Sequence, residues 1–423
     1  MKNITKKIVL NVEKRFGTPT YLYDTKNIAE KYKAIRKSLH DECDIHYSMK
    51  ANPLLGLCQY FFVLGAHCEV SSKNELLTAL KSGFHPNQII FVGPAKTKEE
   101  LNLCINKKIR AIVCESIDEV FFVDFIAAQC GHNISIMVRI NPDFYVAKAP
   151  IKMSGVATQF GVDLEQFIQA YPQIAQLKHV VVEGIHVYNA SRVLDCSAII
   201  NNVEKILSLA RHLEKLFCIQ WKLIDIGGGL GVPYFENESA INIENLIPSL
   251  NKLFSEYKKE NRNVKFILEL GRYLIAESGC LISKVHSVKK SHGKNYVLVD
   301  AGMHCHLAVS GLASFVHRNF TAKVFHKNKA IPSDEKKPYQ VAGPLCTPGD
   351  ILLRDFRSDA FSPGDCLVIF NAGAYGLSAS PGKFLSHGSP AEIIFHEDQF
   401  FLARERETLS DILSCQKNLI ENF

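Results

Sequence analysis

The sequence lacks the features of membrane-spanning and secreted proteins. No apolar run approaches the roughly 20 residues that a bilayer-spanning helix needs, so we expect no membrane association. The first seven residues, MKNITKK, lack the apolar segment and cleavage site of a secretory signal. The thirteen cysteines are an odd, scattered number without any C-x-x-C pair, which argues against a disulfide framework or a zinc site. We therefore expect reduced thiols and a cytoplasmic protein.

Long runs of one charge are also missing. The chain has 49 basic and 43 acidic residues, a net charge of +6, and these charges are interspersed. Such a pattern does not indicate a nucleic-acid partner. With 423 residues, of which 47% are hydrophobic, the chain is long enough for two domains and a large buried core.

Strand-like runs alternate with helical segments through the first two thirds of the chain. The strand-like runs cover residues 44–50, 67–70, 89–93, 111–116, 134–140, 182–188, 223–228 and 266–271. Eight strands with crossover helices indicate a (β/α)₈ TIM barrel, and an open doubly wound sheet is the runner-up. The glycine-rich turn favours the barrel, because it follows the seventh strand rather than the first.

After about residue 280 helical periodicity nearly vanishes, which indicates a second, all-β domain. Its strand-like runs cover residues 281–288, 296–300, 321–325, 339–342, 366–370, 391–395 and 400–403. A short strand-like piece at 16–23 precedes the barrel and needs a sheet to pair with. We therefore predict a barrel over 25–279 and a β-domain made of 1–24 and 280–423.

Several polar strand ends would meet at one mouth of such a barrel, because parallel strands all end on the same face. Lys50 ends the first strand, and His186 lies in the sixth. The glycine run Gly227–Gly229 ends the seventh strand, and the stretch Glu269–Arg272 ends the eighth. A lone lysine at a strand end is usually a solvated charge. However, glycines ahead of a helix and the Gly271-Arg272 pair can bind a phosphate. A lysine at a strand end can form a Schiff base with an aldehyde. Together they predict pyridoxal phosphate.

The same motifs, taken in order, resemble the fold-type III pyridoxal-phosphate decarboxylases, which include diaminopimelate, ornithine and arginine decarboxylases. Other stretches are similar to a branch of that family that acts on a glutamyl group held by an acyl carrier protein. The motifs of the family are Tyr47-Ser-Met-Lys-Ala-Asn52, Glu69-Val-Ser-Ser72, Gly184-Ile-His-Val187, Asp225-Ile-Gly-Gly-Gly229, Glu269-Leu-Gly-Arg272, Asp300-Ala-Gly-Met303, Gly343-Pro-Leu-Cys346 and Gly373-Ala-Tyr375.

The resemblance implies a role for each matching residue. Lys50 would bind the cofactor's aldehyde as a Schiff base, His186 would stack on its ring, and Glu269 would face its pyridine nitrogen. Cys346, from the partner subunit of a homodimer with shared active sites, would return a proton after CO₂ leaves. The implied cofactor-binding set is Lys50, His186, Gly227, Gly228, Gly229, Glu269, Leu270, Gly271, Arg272 and, from the partner, Tyr375.

Three departures from the family bear on the substrate and cofactor. Thr347 follows Cys346 where diamino-acid decarboxylases carry an acid for the distal ammonium. The segment 304–309 replaces an Arg-Pro element that holds a distal carboxylate, leaving Arg318 as a substitute. Residues 188–192 replace a Gly-Ser-Gln loop, which leaves open whether Ser191 contacts the phosphate. The first two changes favour a carrier-bound glutamyl group, with diaminopimelate or another diamino acid as the alternative.

Other classes of function remain as alternatives. Alanine racemases share the barrel, the lysine and the cofactor, but they place arginine where this chain has Glu269. A non-catalytic pyridoxal-phosphate-binding protein would lack the long β-region. We expect no metal site at His304-Cys-His306, because no third ligand is spaced nearby. The Lys148/Lys152 pair is a solvated face that an acidic carrier protein could contact.

Overall fold

The computed structural model describes residues 4–146, 151–311, 318–328 and 336–420. Two compact units divide the chain. The first consists of Ala29–Pro233 and Ser239–Leu274, and the second of Met1–Ile28, Tyr234–Glu238 and Ile275–Phe423. Lys148 and the side chain of Lys152 lie outside the described residues.

The first unit contains eight parallel strands that close into a barrel. Closure follows from the fourth strand, Ala111–Cys114, which pairs with the third and also with the fifth. The predicted (β/α)₈ barrel is therefore confirmed. The strands are Cys43–Ser48, His67–Val70, Ile89–Phe91, Ala111–Cys114, Ile134–Asn141, Val180–His186, Leu223–Asp225 and Lys265–Leu270.

Helices connect the strands, and local sequence signals set their ends. In Lys73–Ser82, the Ser72 hydroxyl accepts a hydrogen bond from the Glu75 N–H, and Gly83 ends the helix at a φ of 106°. No helix in the described part of the chain is long and apolar enough to cross a membrane. The helices around the barrel are Thr25–Arg36, Leu55–Val63, Lys73–Ser82, Lys98–Lys107, Ile117–Cys130, Leu164–Ile174, Cys196–Phe217, Ile243–Lys258 and Arg272–Ile275.

The second unit is built on a nine-stranded sheet. Its N-terminal strand, Thr20–Asp24, lies between Gly279–Ser291, to which it is antiparallel, and Ala391–His396, to which it is parallel. This pairing confirms that the N-terminal strand joins the C-terminal β-region. The remaining strands are Lys294–Val299, Ala322–Phe325, Lys337–Ala342, Ile351–Ser358, Cys366–Ile369 and Gln399–Arg404.

Several elements of this unit were missed from the sequence, among them the helices Lys6–Phe16, Leu307–Ser310 and Leu409–Leu413 and the strand Ile351–Ser358. The helix Lys6–Phe16 is amphipathic, because Val9 and Val12 are completely buried and Ile8, Leu10 and Phe16 pack against the same core. Its apolar spacing was therefore an available signal. The strand Ile351–Ser358 carries two arginines and an aspartate, and only part of it is buried. In this strand, tertiary packing of a few apolar side chains outweighs a weak local pattern.

The N-terminal strand gives a stability prediction. Leu22 has no exposed surface and packs in the core of the sheet unit, whereas Leu402 on an edge strand is 47% exposed. We expect Leu22→Ala to lower the free energy of unfolding by about 2–5 kcal/mol, because it leaves a cavity. Leu402→Ala should change it by less than about 0.5 kcal/mol. Urea unfolding of both variants measures the difference, and equal effects would contradict the buried position of Leu22.

Candidate functional site

Lys50 leaves the first barrel strand in a short 3₁₀ turn, Met49–Ala51. The buried Tyr47 hydroxyl donates to the Asn52 carbonyl at 2.8 Å, and the Asn52 side chain accepts from the Leu54 N–H at 3.1 Å. These two bonds fix the turn between strand and helix. They hold the lysine at the carboxyl end of the strand, where the sequence predicted it.

A buried carboxylate receives the Lys50 ammonium. Lys50 Nζ lies 3.1 Å from Glu69 Oε1, and the Glu69 side chain has no exposed surface. The Ser71 hydroxyl also donates to that oxygen, at 2.9 Å. The ring of Tyr188 lies on another side, with its centroid 5.7 Å from Lys50 Nζ. The Glu69 carboxylate and the Tyr188 ring thus fix the position of the Lys50 ammonium, while the lysine side chain remains 36% exposed.

Three buried groups meet at the ends of neighbouring strands. Asp225 is aligned with His186 on one side, and its strand pairs with the strand of Glu269 on the other. His186 Nε2 lies 3.5 Å from Glu269 Oε1. One ligand-type atom from each of the three lies within 4.8 Å of the others, the sole such trio of His, Cys, Asp or Glu residues found across the described ranges.

The two carboxylic acids of this trio have opposite pKa shifts. Burial by itself would raise the pKa of Glu269, but the nearby His186, together with Lys50 and Arg139, lowers that pKa to about 2. Burial and the nearby Glu269 charge raise the pKa of Asp225 well above its usual value. At neutral pH Glu269 is therefore ionised, and Asp225 holds a proton more tightly than a solvated aspartic acid does.

A second buried ion pair contains Arg139, one of the groups that stabilise the ionised form of Glu269. Arg139 Nη1 lies 3.0 Å from both oxygens of Glu115, and both side chains are almost fully buried. Sequence reasoning missed this pair, as it missed the Glu69 carboxylate beside Lys50 and the ring of Tyr188. Glu69 and Asp225 stand within the motifs quoted above, so their strand-end positions were the available signal. Nothing in the sequence pointed to Arg139.

The glycines form a cradle in which the backbone comes unusually close to its neighbours. A Cβ on Gly228 would lie 1.6 Å from the Glu269 carbonyl oxygen, and one on Gly229 would lie 2.2 Å from the Ala190 oxygen. Gly227 and Gly229 also have left-handed φ values of 64° and 84°. A Cβ on Gly271 would lie 2.8 Å from Cβ of Ala51, which places the Gly271-Arg272 pair beside the lysine turn. Only glycine fits this cradle.

These residues fit pyridoxal phosphate. His186 Nδ1 is buried and has no hydrogen-bond partner within the described ranges, as expected of a ring that stacks on another ring. The ionised Glu269 suits a protonated pyridine nitrogen, and the glycine cradle suits a phosphate. Lys50, His186, Gly227–Gly229 and Glu269–Arg272 are thus brought together, with Leu270 buried at the end of the last strand.

Cys346 and Tyr375 lie in the other unit. Cys346 is exposed in a turn that the buried Asp350 stabilises, because the Asp350 carboxylate accepts the Met303 N–H at 2.7 Å and the Leu345 N–H at 2.9 Å. One carboxylate thereby ties the Cys346 turn to the segment that begins at Met303. Tyr375 is half-buried and adopts a left-handed φ of 53°.

The residues that depart from the family also have defined positions. The His304 ring stacks on His387, with centroids 4.9 Å apart, and the Arg318 guanidinium lies 5.3 Å from the Phe235 ring centroid. Ser191 belongs to a two-residue strand, Ala190–Ser191, that pairs with Ile151–Lys152.

Comparisons with known proteins agree with this site. Residues 25–276 match the family described as "Pyridoxal-dependent decarboxylase, pyridoxal binding domain". The chain is 34% identical over 426 residues to the L-glutamyl-[BtrI acyl-carrier protein] decarboxylase of Niallia circulans, covering 100% of this chain and 99% of the relative. It is 30% identical to the diaminopimelate decarboxylase of Methanocaldococcus jannaschii, over 96% and 92% of the two chains. A crystal structure of diaminopimelate decarboxylase from M. jannaschii superimposes with a TM-score of 0.88 at 29% identity, covering 97% and 95%.

The cradle gives a prediction about cofactor affinity. Because a methyl group on Gly228 would overlap the Glu269 carbonyl, Gly228→Ala must displace the turn that suits the phosphate. We expect its dissociation constant for pyridoxal phosphate to rise by at least about tenfold, the equivalent of ~1.4 kcal/mol. Gly382→Ala is the matched control, because its new methyl would have no neighbour closer than 3.8 Å. Fluorescence titration measures both, and unchanged affinity in Gly228→Ala would contradict the cradle assignment.

Proposed function

Because the chain belongs to the pyridoxal-dependent decarboxylase family and is an amino-acid decarboxylase that uses pyridoxal phosphate, we propose that its substrate is a glutamyl group attached through its side-chain carboxyl to a carrier protein. The observation that carries this proposal is that residue 347, next to the proposed proton donor Cys346, is an uncharged threonine. The full-length similarity to a decarboxylase of that kind supports it.

The segment after Met303 is uncharged as well. Burial, with repulsion from His387, lowers the pKa of His304 to about 4, and burial lowers that of His306 to about 4. Both imidazoles are therefore neutral at neutral pH. The nearby Asp350 carboxylate is occupied by two backbone N–H groups. Neutral groups suit the uncharged thioester or amide carbonyl of a tethered glutamyl group better than a distal ammonium or carboxylate.

The alternative substrate is diaminopimelate. The relatives and solved structures of that name, with similarity over nearly the whole chain, favour it. Diaminopimelate has both an ammonium and a carboxylate at its far end. Both would need a charged partner, and Thr347 provides none.

Each residue of the site has a task in the proposed reaction. Pyridoxal phosphate, when bound, supplies an electron-withdrawing ring that accepts the electron pair left by departing CO₂. Glu269 stays ionised because its own pKa is low, and it would stabilise a protonated ring nitrogen. Lys50 would hold the cofactor through its side-chain amine. The Cys346 thiol then gives its proton to the α-carbon, and the resulting thiolate recovers a proton from solvent.

We also propose that the protein works as a homodimer in the cytoplasm. The exposed Cys346 and the half-buried Tyr375 would then serve the site of the partner subunit. All thirteen cysteines are unpaired, which suits a reducing compartment. Size-exclusion chromatography with light scattering measures the subunit number.

The assignment of Lys50 can be tested without turnover. Borohydride reduction of the holoenzyme should leave the cofactor attached to the peptide that contains Lys50, and Lys50→Ala should give no labelled peptide. The exposed helix residue Lys81 provides the control variant Lys81→Ala, which should still be labelled at Lys50. Peptide mass mapping makes the measurement. A label on any other lysine would refute the role of Lys50.

The substrate proposal is tested by CO₂ release. Glutamyl-carrier conjugates and free diaminopimelate are compared with the wild-type enzyme and with Thr347→Glu and Thr347→Ser. We expect turnover of the conjugate by wild type, and at least a tenfold (~1.4 kcal/mol) gain in kcat/KM for diaminopimelate in Thr347→Glu, because a charge-assisted bond to the ammonium becomes available. Thr347→Ser should resemble wild type. Efficient turnover of diaminopimelate by the wild-type enzyme would overturn the proposal in favour of the alternative.

A further inference from the structure

A second cavity lies at the opposite end of the barrel, where the strands begin. It has a volume of about 490 Å³. Asp44 and His46 come from the first strand, His67 from the start of the second, and Lys265 from the start of the eighth. Arg110, immediately before the fourth strand, completes its charged wall.

The strand geometry separates the outer part of this cavity from the active site, whereas His46, deeper in its wall, is the register partner of Glu269. Residues two apart on a strand point to the same side, so Lys265 shares a barrel face with Glu269, four residues further along. At about 3.3 Å per residue the two are roughly 13 Å apart. The apolar side chains of Leu223 and Ile267 line the cavity and belong to a buried apolar cluster. The same strands therefore contribute to two sites, one at each end.

Positive charge predominates in the cavity. Arg110 and Lys265 carry permanent charges, and Asp44 is the one carboxylate in the lining. Asp44 lies 3.8 Å from His67 Nδ1. Arg110 is paired with Glu183 at 2.7 Å, but Glu183 is also paired with Lys222 at 2.9 Å, so this cluster keeps an excess positive charge. Lys265 has no ion pair within the described ranges and is exposed.

A buried polar atom in the wall has no partner. His46 is only 2% exposed, and its Nδ1 has no hydrogen-bond partner within the described part of the chain. Its ring lies 5.1 Å from that of His67, measured between centroids. Buried polar atoms of side chains are rarely left without a partner. Because this atom has almost no accessible surface, it lies behind the cavity wall, and His67, 28% exposed, is the imidazole that an entering molecule can reach.

We propose that this cavity binds a small oxyanion, either a phosphate-type or a carboxylate-type group, at a site separate from the catalytic one. Lys265 and Arg110 supply the attraction, and the His67 imidazole supplies a hydrogen bond. Guanidinium and ammonium groups at the rim of a concave pocket form the usual environment of such anions.

The test uses the enzyme loaded with pyridoxal phosphate, so that the catalytic phosphate position is filled. Isothermal titration calorimetry with sulfate and with malonate, at constant ionic strength, measures binding. We expect saturable binding of at least one anion, and tighter binding of sulfate or of malonate identifies the phosphate-type or the carboxylate-type class. The absorbance of the bound cofactor is followed in the same titration and should not change.

Substitutions in the cavity wall test where the anion binds. Lys265→Ala should weaken anion binding by up to about fivefold, since an ion pair at a partly exposed site contributes up to about 1 kcal/mol. Lys265→Arg should restore the affinity. Arg110→Gln, which leaves Glu183 paired with Lys222, is a second variant with the same expected direction. Lys98→Ala removes an exposed charge at the start of the helix Lys98–Lys107, at the other end of the barrel, and should leave the affinity unchanged. A cavity that holds only water would show no saturable binding, and displacement of the cofactor would place the anion at the catalytic site; either result overturns the proposal.

Discussion

The charge of a single buried carboxylate, Glu269, governs the chemistry of the barrel mouth. Burying an ionised carboxylate costs several kcal/mol unless positive charges or hydrogen bonds offset it. Here His186, Lys50 and Arg139 do so, and they hold the Glu269 pKa at about 2 despite burial. Burial and that charge together raise the pKa of the adjacent Asp225. The Glu269 anion is therefore the carboxylate of this pair that suits a protonated ring nitrogen.

Much of the barrel could be predicted from the sequence, because a buried parallel strand and its crossover helix are local patterns. The positions of Lys50, His186 and Gly227–Gly229 follow from the rule that strand ends share a face. The electrostatics could not be predicted. Arg139 and Glu115 are separated by 24 residues and meet through strand register. Which of two neighbouring acids is ionised depends on the distances and burial of every charge around them.

The sheet unit was harder to predict for a related reason. Its strand Ile351–Ser358 presents few apolar side chains to the core, so its hydrophobic period is weak, and packing rather than propensity fixes its conformation. The helix Lys6–Phe16, by contrast, has an apolar face at helical spacing that was an available signal. The strand Thr20–Asp24 was recognised because four of its five residues are aromatic, aliphatic or β-branched. The structure buries the same four residues.

The two units carry different parts of the proposed specificity. Residues that would hold the cofactor lie in the barrel, where a change in charge would disturb the balance around Glu269. Residues that would meet the far end of the substrate lie in the sheet unit, near the turn that Asp350 holds. Because the Asp350 carboxylate accepts hydrogen bonds from the Met303 and Leu345 N–H groups, it stabilises the turn and does not contribute to substrate binding. Replacement of an acid by Thr347 can therefore remove a charge from the distal end of the substrate site without altering the electrostatics that the decarboxylation step needs.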